Sequence, residues 1–192
     1  KRFYKAIYAA ELNANSDRLQ WKTVGQMPQP AAYGVSVTYD NSLIFVGGNN
    51  ETGSLTTAIR LRPTATGMQQ EALPNLPQAL DNMAGTVVGD ILYVVGGNCD
   101  GIATQKVWSL NLKNVVKEGW KALPSIPGIA RVQPIAAPVE GGLLGVWGGF
   151  APKTDSKPAQ LAMNGASYNA GCGTWTVLPV PTDAVGEEVF TG

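Results

Sequence analysis

Three stretches of the chain run apolar for four or five residues and then stop on a Gly-Gly pair. They are SLIFVGGNN from Ser42, ILYVVGGN from Ile91 and LLGVWGGF from Leu143. The runs are continuous rather than alternating and rich in Val, Ile and Leu, the pattern of a strand covered on both faces. The glycines that close them permit a turn, or the close approach of another backbone, that a Cβ would forbid. Around each run the pieces keep the same order. A shorter apolar strand precedes it, YGVSVTY at 33–39 and AGTVVG at 84–89, joined through Asp40-Asn41 or Gly89-Asp90, which is hairpin chemistry. A polar loop then leads to a third strand: TAIRLRP at 57–63, KVWSLNL at 106–112 and GASYNA at 165–170. A fourth exits into Leu-Pro, as WKALPSIP from Trp120 and TWTVLPVP around Trp175, with MQQEALPNLP in the first copy.

Four strands per repeat and one Gly-Gly about every fifty residues predict a kelch-type β-propeller, an all-β fold. The alternative, three unrelated buried strands of a sandwich, does not explain the shared order of pieces. A Trp recurring on the fourth strand reads as packing between blades rather than as a stacking surface for ligand. Residues 29–77, 78–127 and 128–181 are expected to form full blades. Residues 1–28 read as the outer half of another, with Phe3 to Leu12 and Trp21 as its third and fourth strands. Residues 182–192 read as the start of a next blade, its first strand at 187–191. Since propellers close with at least four blades, the expectation is part of a longer ring. The partners expected for the open edges are the remaining blades or a second copy.

Composition narrows the partners. Fourteen basic and fourteen acidic residues leave no net charge and no run of one sign, which argues against nucleic acid and anionic membrane. No apolar stretch reaches the ~20 residues of a membrane span, and residues 1–12 show no signal-peptide pattern. There is no His, so acid–base work would fall to carboxylates, Tyr, Lys or Arg. Two cysteines, Cys99 and Cys172, are too few for a disulfide framework or a zinc site. Their assignment to loops at opposite ends of the strands predicts two free thiols. No cofactor and no metal are expected.

The segment QPAAYGVSVTYDNSLIFVGGNNETG at 29–53 resembles the closing blade of the bacterial N-acetylneuraminate epimerases, the sialic acid mutarotases. The stretch from Met83 through Trp120, with LPSIPG and Arg131 beyond it, is similar to that family's opening blade. The order resembles that of the family's cyclically permuted branch, and the resemblance implies a six-bladed ring. The resemblance implies a sugar-acid isomerase in carbohydrate metabolism, acting on a substrate such as sialic acid, and a periplasmic or secreted location. It also implies a catalytic Glu just after one Gly-Gly, with an Arg six residues on. No copy in this chain carries that pair. Asn49 and Leu55 stand at the two positions in the first copy, Asn98 with no following Arg in the second, and Phe150 with Lys153 and Asp155 in the third.

The loops joining strands two to three and four to one should share one face around the central channel, the default ligand site. Four residues there are substrate-binding candidates. Arg131 is either a sugar-carboxylate contact or an exposed or salt-bridged loop residue. Tyr33 either meets ligand or caps its strand by ring packing. Asn49 and Asn98 either meet ligand or satisfy turn backbone. Glu51, Asp81 and Asp100 read as solvated loop carboxylates. The catalytic residues are not identifiable from this chain. The competing reading is a kelch module that binds a glycan or protein through the same face without chemistry.

Overall fold

The computed structural model describes residues 2–11 and 18–189. Strands β1 (Ala6–Ala9) and β2 (Lys22–Gln26) pair antiparallel as a two-stranded sheet. The first full blade contains β3 (Val35–Tyr39) and β4 (Ser42–Val46), then a short hairpin of β5 (Asn49–Asn50) and β6 (Gly53–Ser54), then β7 (Ala58–Thr64) and β8 (Gly67–Ala72). The second repeats this with β9 (Ala84–Val88), β10 (Ile91–Val95), the hairpin β11 (Asn98–Cys99) and β12 (Ile102–Ala103), and β13 (Val107–Asn111). One helical turn, α1 (Val115–Glu118), precedes its last strand, β14 (Trp120–Leu123). The third has β15 (Ile135–Val139), β16 (Leu143–Trp147), the hairpin β17 (Phe150–Ala151) and β18 (Gln160–Leu161), β19 (Gly165–Asn169) and β20 (Thr174–Leu178).

Each blade is a four-stranded antiparallel meander in chain order. The first strands β3, β9 and β15 neighbour one another in sequence. β2 lies beside β8. Of the two partial segments, residues 1, 12–17 and 190–192 lie outside the described residues, which takes in Leu12 and residues 190–191 of the expected strands. Residues 187–189 form no named strand; Glu188 makes a single bridge to Thr182.

The continuous apolar runs are explained by stacking. Alternate side chains of β10 enter different cores. Leu92 and Val94 pack with Ile44, Val46, Leu80 and Leu110 between the first and second blades. Tyr93 and Val95 pack with Leu144, Val146 and Tyr168 between the second and third. A strand sandwiched between two blades has no solvent face, so strict alternation disappears.

The Gly-Gly pair is the joint between blades. Gly48 donates its N–H to Leu80 O at 2.8 Å, and Gly97 donates to Arg131 O at 2.9 Å, each reaching the loop that enters the next blade. A Cβ on Gly97 would stand 2.7 Å from Asp81 O, and one on Gly48 would stand 2.5 Å from Ala32 O. Both glycines are left-handed, with φ of 92° and 91°. Close approach and positive φ are therefore required together.

The recurring Trp also joins blades. Trp120 Nε1 donates to Pro74 O at 2.7 Å, and Trp175 Nε1 to Pro124 O at 2.9 Å. Each indole reaches back to the Leu-Pro exit of the preceding blade. Both cysteines are free, Cys99 in β11 and Cys172 in the β19–β20 turn.

Candidate functional site

The face carrying the β5–β6, β11–β12 and β17–β18 hairpins is built the same way three times. Before each first strand the chain makes one bridge to the residue after Gly-Gly: Ala32 to Asn49, Asp81 to Asn98, and Val132 to Phe150. The next residue turns left-handed, with φ of 59° at Tyr33, 51° at Asn82 and 52° at Gln133. Asn tolerates this conformation, whereas Tyr and Gln hold it at a cost of about 1 kcal/mol or more. The compensation is a run of hydrogen bonds from blade to blade. Asn82 N–H donates to Tyr33 O at 2.9 Å, Gln133 N–H to Asn82 O at 2.7 Å, and Gln133 Nε2 to Asn82 Oδ1 at 3.2 Å.

Asp81 is the centre of the polar cluster beside this run. It is 2% exposed. Its Oδ1 accepts from Asn82 Nδ2 at 2.6 Å and Asn98 Nδ2 at 2.7 Å, while Oδ2 accepts from Ser54 Oγ at 2.7 Å. Three donors to a carboxylate offset the loss of its hydration. Ser54 in turn exchanges two bonds with Asp100, each at 3.0 Å: its N–H donates to Oδ1, and its Oγ accepts from the Asp100 N–H. Ser54, Asp81, Asn98 and Asp100, with Asn49 and Asn50, line a pocket of about 300 Å³.

Two acceptors in the cluster are left over. Asn49 Oδ1 and Asn98 Oδ1 are buried and receive no hydrogen bond. The Asn98 amide is oriented by Asp81, which takes its nitrogen and leaves its oxygen without a donor. Buried polar atoms without partners are uncommon in folded proteins and mark places where a donor from outside would be favourable.

Arg131 lies apart from this cluster and is wholly buried. Its NH2 donates to Pro127 O at 2.9 Å and Asn164 Oδ1 at 3.2 Å, its Nε to Ile129 O at 3.2 Å, and its NH1 to Gly148 O at 3.3 Å and Asn164 O at 3.4 Å. The acceptors come from the exit loop of the second blade and the body of the third. No carboxylate faces it among the described residues. Burial pulls its pKa below the usual arginine value.

Asn49, Asn98 and Tyr33 therefore share the expected face, with Tyr33 half-exposed at its rim, and Arg131 sits behind the blade two–blade three junction. The side chain of Asn98 serves Asp81 rather than turn backbone. Glu51 and Asp100 are exposed, as a loop reading expects, but Asp81 is not. The correction has a physical cause. The bridge to Asn98 draws Asp81 into the inter-blade cluster, where side chains from two blades replace its water. Ser54 and Gln133 had no place in the sequence reading. Aligning the copies on Gly-Gly puts Tyr33 beside Asn82, and brings Gln133 to the same place only when one extra residue is allowed in the third copy.

Comparison with known proteins bears on the same stretch. Residues 73–191 match the model of the N-acetylneuraminate epimerase family. A protein named N-acetylneuraminate epimerase from Pasteurella multocida (strain Pm70) is 40% identical over 118 residues, covering 62% of this chain and 29% of that protein. One of the same name from Haemophilus influenzae (strain PittEE) is 34% identical over 109 residues, covering 57% of this chain and 27% of that protein. The chain thus spans less than a third of these relatives' length. The solved structure titled "Structure of YjhT" superposes with a TM-score of 0.59 at 19% identity, over 78% of this chain and 51% of that one, a likeness of fold alone. With more than half of its residues matched by the family model, and with the blades that the match requires in place, the chain belongs to the N-acetylneuraminate epimerase family.

Proposed function

We propose that this chain supplies part of the ligand face of a propeller that interconverts the anomers of a sugar acid such as N-acetylneuraminate. The family match over residues 73–191 carries the reading. The cluster around Asp81 supports it chemically. A sugar presents hydroxyl groups, and Asn49 Oδ1 and Asn98 Oδ1 are acceptors without donors. A hydroxyl donating to either one would complete a bond that the protein leaves open. Asp81 disfavours a second carboxylate beside it, so this pocket takes the polyol end of the substrate rather than its acid end.

Tyr33, half-exposed on the same rim, offers a ring and a hydroxyl to a bound sugar. Arg131 has no surface for direct contact. Its charge faces only neutral acceptors, so it acts through its positive field on the substrate's carboxylate. Anomer exchange also requires a base for the anomeric hydroxyl and an acid for the ring oxygen. The positions after Gly-Gly hold Asn49, Asn98 and Phe150, none of which takes up a proton at neutral pH. The proposal therefore assigns binding to these residues and proton transfer to none of them.

NMR exchange spectroscopy on N-acetylneuraminate tests both parts. The 192-residue chain should broaden the sugar signals saturably, and Asn98→Ala should weaken that binding by about tenfold, the worth of one or two hydrogen bonds. The same chain should leave the exchange rate between anomers at its buffer value. Acceleration by this chain would overturn the assignment of binding without proton transfer. Absence of any binding would overturn the site.

A further inference from the structure

The opposite face of the molecule holds a second polar groove. It lies between the first two blades at the β3–β4 and β9–β10 turns, one strand length of about 17 Å from the Gly-Gly ends. Tyr39, Asp40, Arg60, Arg62, Asp90 and Lys113 line it, around a volume of about 540 Å³. Nothing in the sugar-acid reading uses these residues.

Arg60 is the unusual member. It sits on β7, opposite Ile44 on β4 and Glu71 on β8. That register turns it inward, and it is only 6% exposed. A guanidinium carries five N–H donors. Here NH1 meets Glu71 Oε2 at 3.4 Å, NH2 meets Leu112 O at 3.4 Å, and the buried Nε has no partner. Both contacts are at the long end for hydrogen bonds, and Glu71 answers the charge from a half-exposed side chain. A nine-tenths buried cation so poorly satisfied lacks an acceptor.

The neighbouring charges leave room for an acceptor of negative sign. Asp90 has both oxygens engaged, Oδ1 by the Tyr39 hydroxyl at 2.8 Å and Oδ2 by Lys113 Nζ at 2.8 Å. Asp40 is held by Arg62 at 3.4 Å. Three cations thus line the groove against two carboxylates that are already paired, with Glu71 facing Arg60 from outside the lining at 3.4 Å. Arg62 and Lys113 are both well exposed, with side chains 38% and 66% accessible, and can turn toward a ligand.

We propose that this groove binds a small oxyanion, the phosphate or carboxylate group of a ligand, through Arg60, with Arg62 and Lys113 at its rim. The planar guanidinium fork suits two oxygens of such a group, and a charge-assisted bond supplies what the 3.4 Å contacts do not.

Titration of the purified protein with inorganic phosphate at low ionic strength, followed by calorimetry, tests the assignment. Saturable binding is expected, weakened tenfold or more, on the order of one charge-assisted bond, by Arg60→Met. Asn98→Ala, on the other face, should leave it unchanged, which separates this site from the sugar-acid pocket. If Arg60→Met does not fold, the double variant Arg62→Gln/Lys113→Gln gives the same reading through the rim, by a smaller, several-fold loss. Displacement of phosphate by acetate would assign the groove to carboxylates as well, and lack of displacement to phosphate alone. The absence of saturable binding overturns the proposal. So does binding that is indifferent to these variants or lost in Asn98→Ala.

Discussion

At the scale of single residues, the second glycine of each pair performs two duties at once. Gly97 holds a left-handed φ of 92° and lets Asp81 O come within 2.7 Å of where a Cβ would be. The obstructing atom is backbone, so relief requires the strand itself to move. Gly97→Ala should therefore destabilise the protein by about 2 kcal/mol or more, since strain and displacement add. Thermal or denaturant unfolding measures this, and an unchanged midpoint would contradict the packing described. Gly101, with φ of 94° but nothing within 4 Å, provides the contrast. There alanine meets only the conformational penalty, and the difference between the two variants isolates the clash.

At the scale of elements, the blade is a unit because its fourth strand is tied to its predecessor. Trp120 and Trp175 occupy equivalent positions and make the same bond to a proline carbonyl. Proline has no N–H, but its carbonyl still needs a donor, and the indole supplies it across the blade boundary. Trp120→Phe retains most of the apolar contact and leaves Pro74 O unpaired. The expected loss is about 1 kcal/mol, or more where water cannot reach the freed carbonyl. Urea unfolding reads the effect, and no loss from Trp120→Phe beside a large loss from Trp120→Ala would show that packing rather than the bond matters. The first blade has no Trp on its fourth strand. Gln70 stands three residues before Leu73, as Trp120 stands before Leu123, and its Nε2 donates to Gln26 O of β2, so a hydrogen bond crosses this boundary too.

At the scale of the whole molecule, charges on the face opposite the hairpins link the first two blades. The Lys113 ammonium and then the Tyr39 hydroxyl, both bonded to Asp90, hold its carboxyl below the usual carboxylate range. The same bond to Asp90 raises the Tyr39 hydroxyl. For the depressed carboxyl, stabilisation is complete above the unfolded value of about 4 and is lost as pH falls through the folded value. For the raised phenol, it is present below about 10 and is lost as pH rises through the folded value. Asp90→Asn removes both contributions. Stability of protein and variant, measured against pH in phosphate-free buffer, should differ at neutral pH and converge below about pH 4. Curves that stay parallel into acid would show that Asp90 is not the titrating link.

The repeat, the strand order and the blade-joining Trp were legible in the chain because they depend on local pattern. Apolar runs, turn residues and glycines at fixed offsets act on the backbone nearest to them. The candidate face was legible too, since loop position follows once strands are counted, and this placed Tyr33, Asn49 and Asn98 together. Burial of polar groups was not legible. In the sequence Asp81 reads as a solvated loop carboxylate and Arg131 as a sugar-carboxylate contact or a loop residue, and nothing marks Arg60 as buried. Whether each is solvated depends on the neighbouring blade, whose contacts lie 27 residues away for Asp81, 33 for Arg131 and 52 for Arg60. Tertiary structure alone decided that Asp81 is satisfied by three donors, that Arg131 bridges two blades through carbonyls, and that Arg60 is buried with too few acceptors. The physical reason is that the hydration of a charged group is exchanged for contacts only when blades stack, and side chains distant in sequence determine what is offered in return.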